Sequence, residues 1–186
     1  MKPRGAARPL ASLRARGVQW LGQREHSASE LRQKLLRHAR VLQAAALAQA
    51  GEHPAVSDEA PDWPTAVEDA LTWLTAQGYL SDARFVQSRV HVRAPRFGNL
   101  RIRQELAQHQ LELAPEAALA LQASEIDRAR AVCRRKFPDP PQTAAESAKQ
   151  ARFLAQRGFS ADVVRRVLRD AAKNQRNAIT EDDTSP

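Results

Sequence analysis

Apolar residues recur along this chain at three- and four-residue intervals, the spacing of one buried face on a helix, in stretch after stretch. The first such stretch runs from about Ala11 to Glu25, with Leu13, Gly17, Trp20 and Leu21 inward. Ser27-Ala28-Ser29-Glu30 opens the second as a capping box: the Ser27 hydroxyl reaches the third amide and the Glu30 carboxylate reaches back. Its face, Leu31, Leu35, His38 and Leu42, meets no glycine until Gly51, so a long helix is expected. Val67, Ala70, Leu71 and Leu74 form a third stripe, which Gly78 stops. With Gly78 left-handed, Leu74 and Tyr79 take the two positions whose apolar contact closes a Schellman motif. Ser81 or Asp82 caps the next helix, and Phe85, Val86 and Val90 are its buried side.

Pro95 ends that helix, because a proline disfavours helical geometry in the residue before it. Asn99 caps its successor, with Ile102 and Leu106 inward; Pro115 suits the first position of a short helix to Gln122; Ser124-Glu125-Ile126-Asp127 caps another. Ile126, Ala129, Cys133 and Phe137 give that one its core stripe. Thr143 begins a helix to Arg157, and the earlier stop signal returns there: Leu154, Gly158 and Phe159 repeat Leu74, Gly78 and Tyr79. Ser160 or Asp162 opens the last helix, which carries Val163, Val164, Val167 and Leu168.

Nine helices fall into three groups of three. In each group the second helix ends on a leucine, Leu35, Leu106 or Leu154, and the first interval exceeds the second by 23 residues. That excess is an Ala-rich extension and the acidic, Pro-rich stretch at 51–64. The expected fold is all-α: three tandem three-helix repeats in an elongated, curved stack, each unit too small to be stable alone. The expected boundaries are a flexible basic arm at 1–10, repeats at 11–80, 81–123 and 124–172, and a disordered tail at 173–186.

Composition agrees, with few β-branched residues and only three Trp, one Tyr and five Phe. The net charge of +8 and pI near 10.7 point to a polyanionic partner. A single cysteine, Cys133, excludes an intrachain disulfide and a Cys-based zinc site. No apolar run approaches the roughly 20 residues a membrane span needs, and the N-terminus lacks the apolar core of a secretory signal. Scattered histidines, with no His-Glu-x-x-His pattern, no phosphate-cradling Gly loop and no Ser elbow, give no sign of an enzyme.

The strongest chemical signal is a run of arginines, Arg84, Arg89, Arg93, Arg96, Arg101 and Arg103, with no acid before Glu105. Burying so many unpaired cations would cost too much, so they belong on the surface. They are the contact candidates, with Arg157, Arg165 and Arg166 on the same side; Arg89, Arg93 and Arg96 share one helix face by spacing. Arg128, Arg130, Arg134, Arg135 and Lys136 read as a solvated face, Asp82 and Phe85 as a cap and a core aromatic, and Trp63 and Trp73 as packing residues, Trp63 in the loop.

Three segments, LGQREHSASELRQKL (Leu21 to Leu35), GYLSDARFVQSRV (Gly78 to Val90) and FLAQRGFSADVVRRVL (Phe153 to Leu168), in this order, resemble the RecX family of regulators of the RecA recombinase. The resemblance covers roughly Leu13 to Arg169 and implies an all-helical protein of three tandem three-helix repeats. It also implies binding along the groove of the RecA filament on single-stranded DNA and inhibition of RecA's ATPase, strand exchange and coprotease functions. DNA repair, recombination and the SOS response would be modulated in consequence. A cytoplasmic monomer without cofactor is expected. Two departures stand out: where the family closes its second helix with glycine, this chain has Ala39 and Gln110, and the first unit carries the extra residues. Ala39 argues that the second helix simply continues. The rival of a different class is a helical DNA-binding repressor or architectural protein built of helix-turn-helix-like units.

Overall fold

A computed structural model describes residues 7–49 and 62–182, and among these every regular element is a helix. The elements are α1 (Ala7–Leu21), α2 (Ala28–Gln49), α3 (Trp63–Ala76), α4 (Asp82–Arg93), α5 (Asn99–Ala107), α6 (Pro115–Ala123), α7 (Glu125–Lys136), α8 (Ala144–Gln156) and α9 (Ala161–Asp182). Most of the acidic Pro-rich stretch lies outside the described residues, as do residues 1–6 of the basic arm. The chain divides into two compact units, 1–85 and 86–186, with α4 beginning in the first and continuing in the second.

In the first unit, α1, α2 and α3 pack on one another. Their shared core is Leu13, Leu31, Leu35, Ala39, Val67, Ala70, Leu71, Leu74 and Leu80. Each fully buried leucine stabilises the fold by about 1.5–3 kcal/mol. Helix α1 starts four residues earlier than the sequence spacing predicts, so part of the arm is helical. Pro9 is no obstacle, since first-turn amides have no intrahelical acceptor. Helix α2 runs straight through Ala39, as the missing glycine predicts, because no residue there favours a left-handed stop. Trp63 is helical rather than in a loop, with Pro64 behind it in the first turn.

The Schellman stop is present: Gly78 has φ +73, Tyr79 N–H donates to Leu74 O at 2.9 Å and Gly78 N–H to Thr75 O at 2.9 Å. The apolar closure differs. Tyr79 is exposed and lies against Trp73, and Leu80 is the residue that enters the core beside Leu74.

In the second unit α7, α8 and α9 pack pairwise around Ala129, Val132, Cys133, Leu154, Phe159, Val164 and Val167. The Leu154–Gly158–Phe159 stop holds in full, with Gly158 at φ +81, Phe159 N–H on Leu154 O at 3.2 Å, and both apolar side chains in one core. A third copy closes α5: Gln110 is left-handed at φ +60, and Leu111 N–H reaches Leu106 O at 3.1 Å. Thr143 and Glu146 form a full capping box at α8.

Two expected caps are replaced. Asn99 is the first residue of α5, behind Gly98, and is buried. Ser124, the single residue between α6 and α7, keeps right-handed helical backbone angles and turns its hydroxyl back to Ala120 O and Leu121 O, because α6 runs almost directly into α7. Helix α9 continues to Asp182, through most of the stretch expected to be a disordered tail: from Ala171 no glycine or proline interrupts it.

Candidate functional site

Each helix that follows a repeat's end sends an acid back to an earlier helix. Asp82, on the first turn of α4, accepts from the Ala28 amide at 2.8 Å and so caps α2 rather than α4, whose own cap is the Ser81 hydroxyl on the Arg84 amide. Glu125, on the first turn of α7, does the same for α5: it takes the Asn99 amide at 2.9 Å and the Asn99 side-chain amide at 3.0 Å. This shared tie is a repeat signature that helix spacing alone did not reveal.

At the start of α2 the Ser27 hydroxyl accepts from the Glu30 amide as predicted, while the Glu30 carboxylate pairs with Arg24 and stands 3.2 Å from His26 Nδ1. His26 is buried, with Lys34 Nζ 3.5 Å from its Nε2. Burial pushes its pKa below the usual 6.5 against the pull of Glu30, and Arg24 and Lys34 push the same way as burial. His38, edge-on to Trp20, is lowered by burial and by Arg16. The unfolded chain takes up both protons near pH 6.5 and the folded chain only lower. Stability is therefore full above 6.5 and is lost as pH falls through the depressed values. Urea unfolding should show a lower midpoint at roughly pH 5.5 than at roughly pH 7.5; equal midpoints would contradict this account of the two histidines.

The arginine run divides. Arg84 lies in the first unit, where it pairs with Glu25 at 2.9 Å and donates to Tyr79 O at 2.7 Å. The others lie in the second unit. Helix α4 ends at Arg93, so Arg96 leaves the face that spacing gave it and sits exposed in the turn Ala94-Pro95-Arg96-Phe97. All four carbonyls of that turn accept from arginines: Arg128 takes Ala94 O at 3.1 Å and Phe97 O at 2.8 Å, Arg135 takes Pro95 O at 3.0 Å, and Arg157 takes Arg96 O at 3.3 Å. Arg128 is thus no part of a solvated face. It is half-buried, also bonds Asn99 and Leu121 O, and has its pKa lowered by burial against the pull of Glu125.

The turn presents Phe97. Three guanidinium groups surround its ring, Arg101 at 5.1 Å, Arg93 at 5.5 Å and Arg157 at 5.6 Å from the centroid. Arg157 also lies over Phe153 at 4.9 Å. Glu105 answers this charge: Arg93 Nε donates to it at 2.7 Å, and Arg101 Nε stands 3.8 Å away. Arg96, Arg103 and Arg166 are exposed and form no ion pair with a described residue; Arg165 pairs with Asp162; Arg89 is half-buried on α4. The structure therefore gathers Arg93, Arg101 and Arg157 at Phe97, with the exposed Arg96 preceding it in the turn. Sequence reading passed over Phe97, although an aromatic in Pro-Arg-Phe-Gly-Asn-Leu-Arg was the available signal.

A backbone junction supports this cluster. Gly98 N–H donates to Arg157 O at 2.9 Å and Leu100 N–H to Gly158 O at 3.1 Å, so amides at the start of α5 satisfy the carbonyls just past the end of α8. Among the described residues no group of His, Cys, Asp and Glu is placed to hold a metal, and no helix is long and apolar enough to cross a membrane.

Comparison with known proteins agrees with this helical architecture. Residues 123–168 match the family model of the third three-helix domain of RecX. "Regulatory protein RecX" of Leptothrix cholodnii is 44% identical over 164 residues, which is 87% of this chain and 90% of that protein. Its namesake in Ralstonia nicotianae is 41% identical over 94% of each chain, and that of Neisseria gonorrhoeae 33% identical over 88% of this chain and 94% of its own. Identity of this extent over nearly the whole length, with α7, α8 and the start of α9 covered by the matched domain, means that the chain belongs to the RecX family of regulatory proteins.

Proposed function

We propose that this chain regulates the RecA recombinase by binding the RecA filament on single-stranded DNA and inhibiting its ATPase, strand exchange and coprotease activities, with no catalysis of its own. Family membership supports a regulatory role. The observation that carries the contact is the Phe97 cluster, where Arg93, Arg101 and Arg157 stand around one ring, Glu105 pairs with Arg93 and Arg101, and the exposed Arg96 precedes Phe97 in the turn. A surplus of cations fixed on a braced turn suits DNA phosphates or acidic filament surfaces. Arg103, Arg166 and Arg89 extend the same reading, and three repeats at 11–80, 81–123 and 124–172 would give the chain enough length to bridge filament subunits. The protein acts in the cytoplasm as a monomer on this reading.

Inhibition requires differential affinity: the bound chain must favour a filament state that hydrolyses ATP poorly, since equal affinity for both states shifts nothing. Single-strand-dependent ATP hydrolysis by preassembled RecA filaments, titrated with this protein, tests it. Inhibition at protein levels well below RecA is expected. Unchanged hydrolysis together with tight binding to bare DNA would replace the reading with that of a DNA-binding protein.

A further inference from the structure

Three features set Glu105 apart. It is the one carboxylate among the described residues that pairs with the guanidinium groups around Phe97, and it is shared unequally. Arg93 is bound at hydrogen-bond distance, whereas Arg101, at 3.8 Å and with half of its side chain exposed, is attracted without being bonded. Two guanidinium groups converging on one carboxylate also make the arrangement that accepts a phosphate oxyanion, because both anions offer paired oxygens to the same N–H fork.

The ring beneath them narrows the ligand. Three guanidinium groups stand within 5.6 Å of the Phe97 centroid, so its ring acts as a spacer between guanidinium groups and not as a platform for a nucleobase. A ligand here is read by its charge, and the exposed Arg96, next to Phe97 in the turn, adds a further cation to this surface. That favours the phosphodiester backbone of a single strand.

We propose that Glu105 is a built-in competitor: it occupies the notch between Arg93 and Arg101 in the free chain and yields it to a backbone phosphate of single-stranded nucleic acid. This rests on the reading of the Phe97 surface given above, and adds to it the ligand and the residue that sets its affinity. Glu105 lowers the affinity of the free chain for stray polyanions and keeps Arg93 in position until a phosphate replaces it.

The test uses the full-length chain and a fluorescein-labelled oligothymidylate without RecA, with anisotropy read across a salt series. Glu105→Gln keeps the shape and removes the charge; it should tighten binding about tenfold while leaving the dependence of log K on log salt unchanged, because the notch receives the same phosphate in both chains. Glu105→Asp keeps the charge and should bind like the parent. The gain should vanish in the Glu105→Gln, Arg101→Gln double variant. Should Arg101→Gln weaken binding while Glu105→Gln leaves it unchanged or weaker, the competitor role is overturned and the arginine surface stands. If Arg101→Gln weakens inhibition of the filament but not oligonucleotide binding, the ligand is a carboxylate surface and the phosphate assignment is overturned. A parent chain that does not bind the oligonucleotide, and whose effect on the filament Arg101→Gln does not alter, removes both readings.

Discussion

Replacing Gly98 with alanine should cost the second unit about 3 kcal/mol, the upper range for forcing atoms into a packed site. A Cβ at Gly98 would overlap the Gly158 carbonyl and the Phe159 nitrogen. Both are backbone atoms held in the junction where Gly98 N–H meets Arg157 O, so no side chain can swing aside. Gly158 is tied to the same place from the other side: a Cβ there would lie 2.5 Å from Arg101 Cβ, at a φ of +81 that adds roughly 1–2 kcal/mol of left-handed strain. Gly22→Ala is the contrast, since its Cβ would make only ordinary contact with Val18 O at 3.5 Å, and it should change stability by less than about 0.5 kcal/mol. Thermal unfolding separates the two, with a fall of more than about 10 °C expected for Gly98→Ala. Parental stability in that variant would mean that α5 and α8 do not meet as described.

Reversing charge at the Phe97 cluster should have the largest functional effect. In the Arg96→Glu, Arg101→Glu double variant two exposed cations become acids, one of them next to Glu105, and at least about tenfold more protein should be needed for half-inhibition of filament ATP hydrolysis. Arg96 donates no side-chain bond to a described residue, and Arg101 has only its loose pair with Glu105 and its place over Phe97, so the fold should survive. The control is Arg37→Glu, Arg40→Glu on the exposed side of α2, which alters net charge equally. If both doubles lose inhibition alike, overall charge and not this cluster is responsible; if neither does, the surface is not the contact.

Arg157 is a poorer choice for such a test, because its guanidinium donates to Arg96 O and spans Phe97 and Phe153. Its removal would loosen the turn that presents the others. The same holds for Arg128, whose half-buried group bonds four carbonyls or amide oxygens. Among a dense set of arginines, those that brace are distinguished from those that offer charge by what their N–H groups already hold.

Where most helices lie and how they stop is written in local sequence. Leu74-Gly78 and Leu154-Gly158 end their helices through a left-handed glycine and bonds that reach back five residues, and Ala39, lacking that freedom, lets α2 continue; all of this is written within a few neighbouring positions. The surface character of most of the arginine run was equally legible, since no acid is interleaved with it from Arg84 to Arg103 and Glu105 alone follows closely. Which arginines are available depends instead on contacts between helices far apart in the chain. Asp82 reaches the amide of Ala28 across 54 positions, Glu125 that of Asn99 across 26, and Arg157 the carbonyl of Arg96 across 61. Such partners are chosen by the packing of helices distant in sequence, which no local spacing encodes, and they made a cap for α2 of Asp82, a brace of Arg128 and a centre of Phe97.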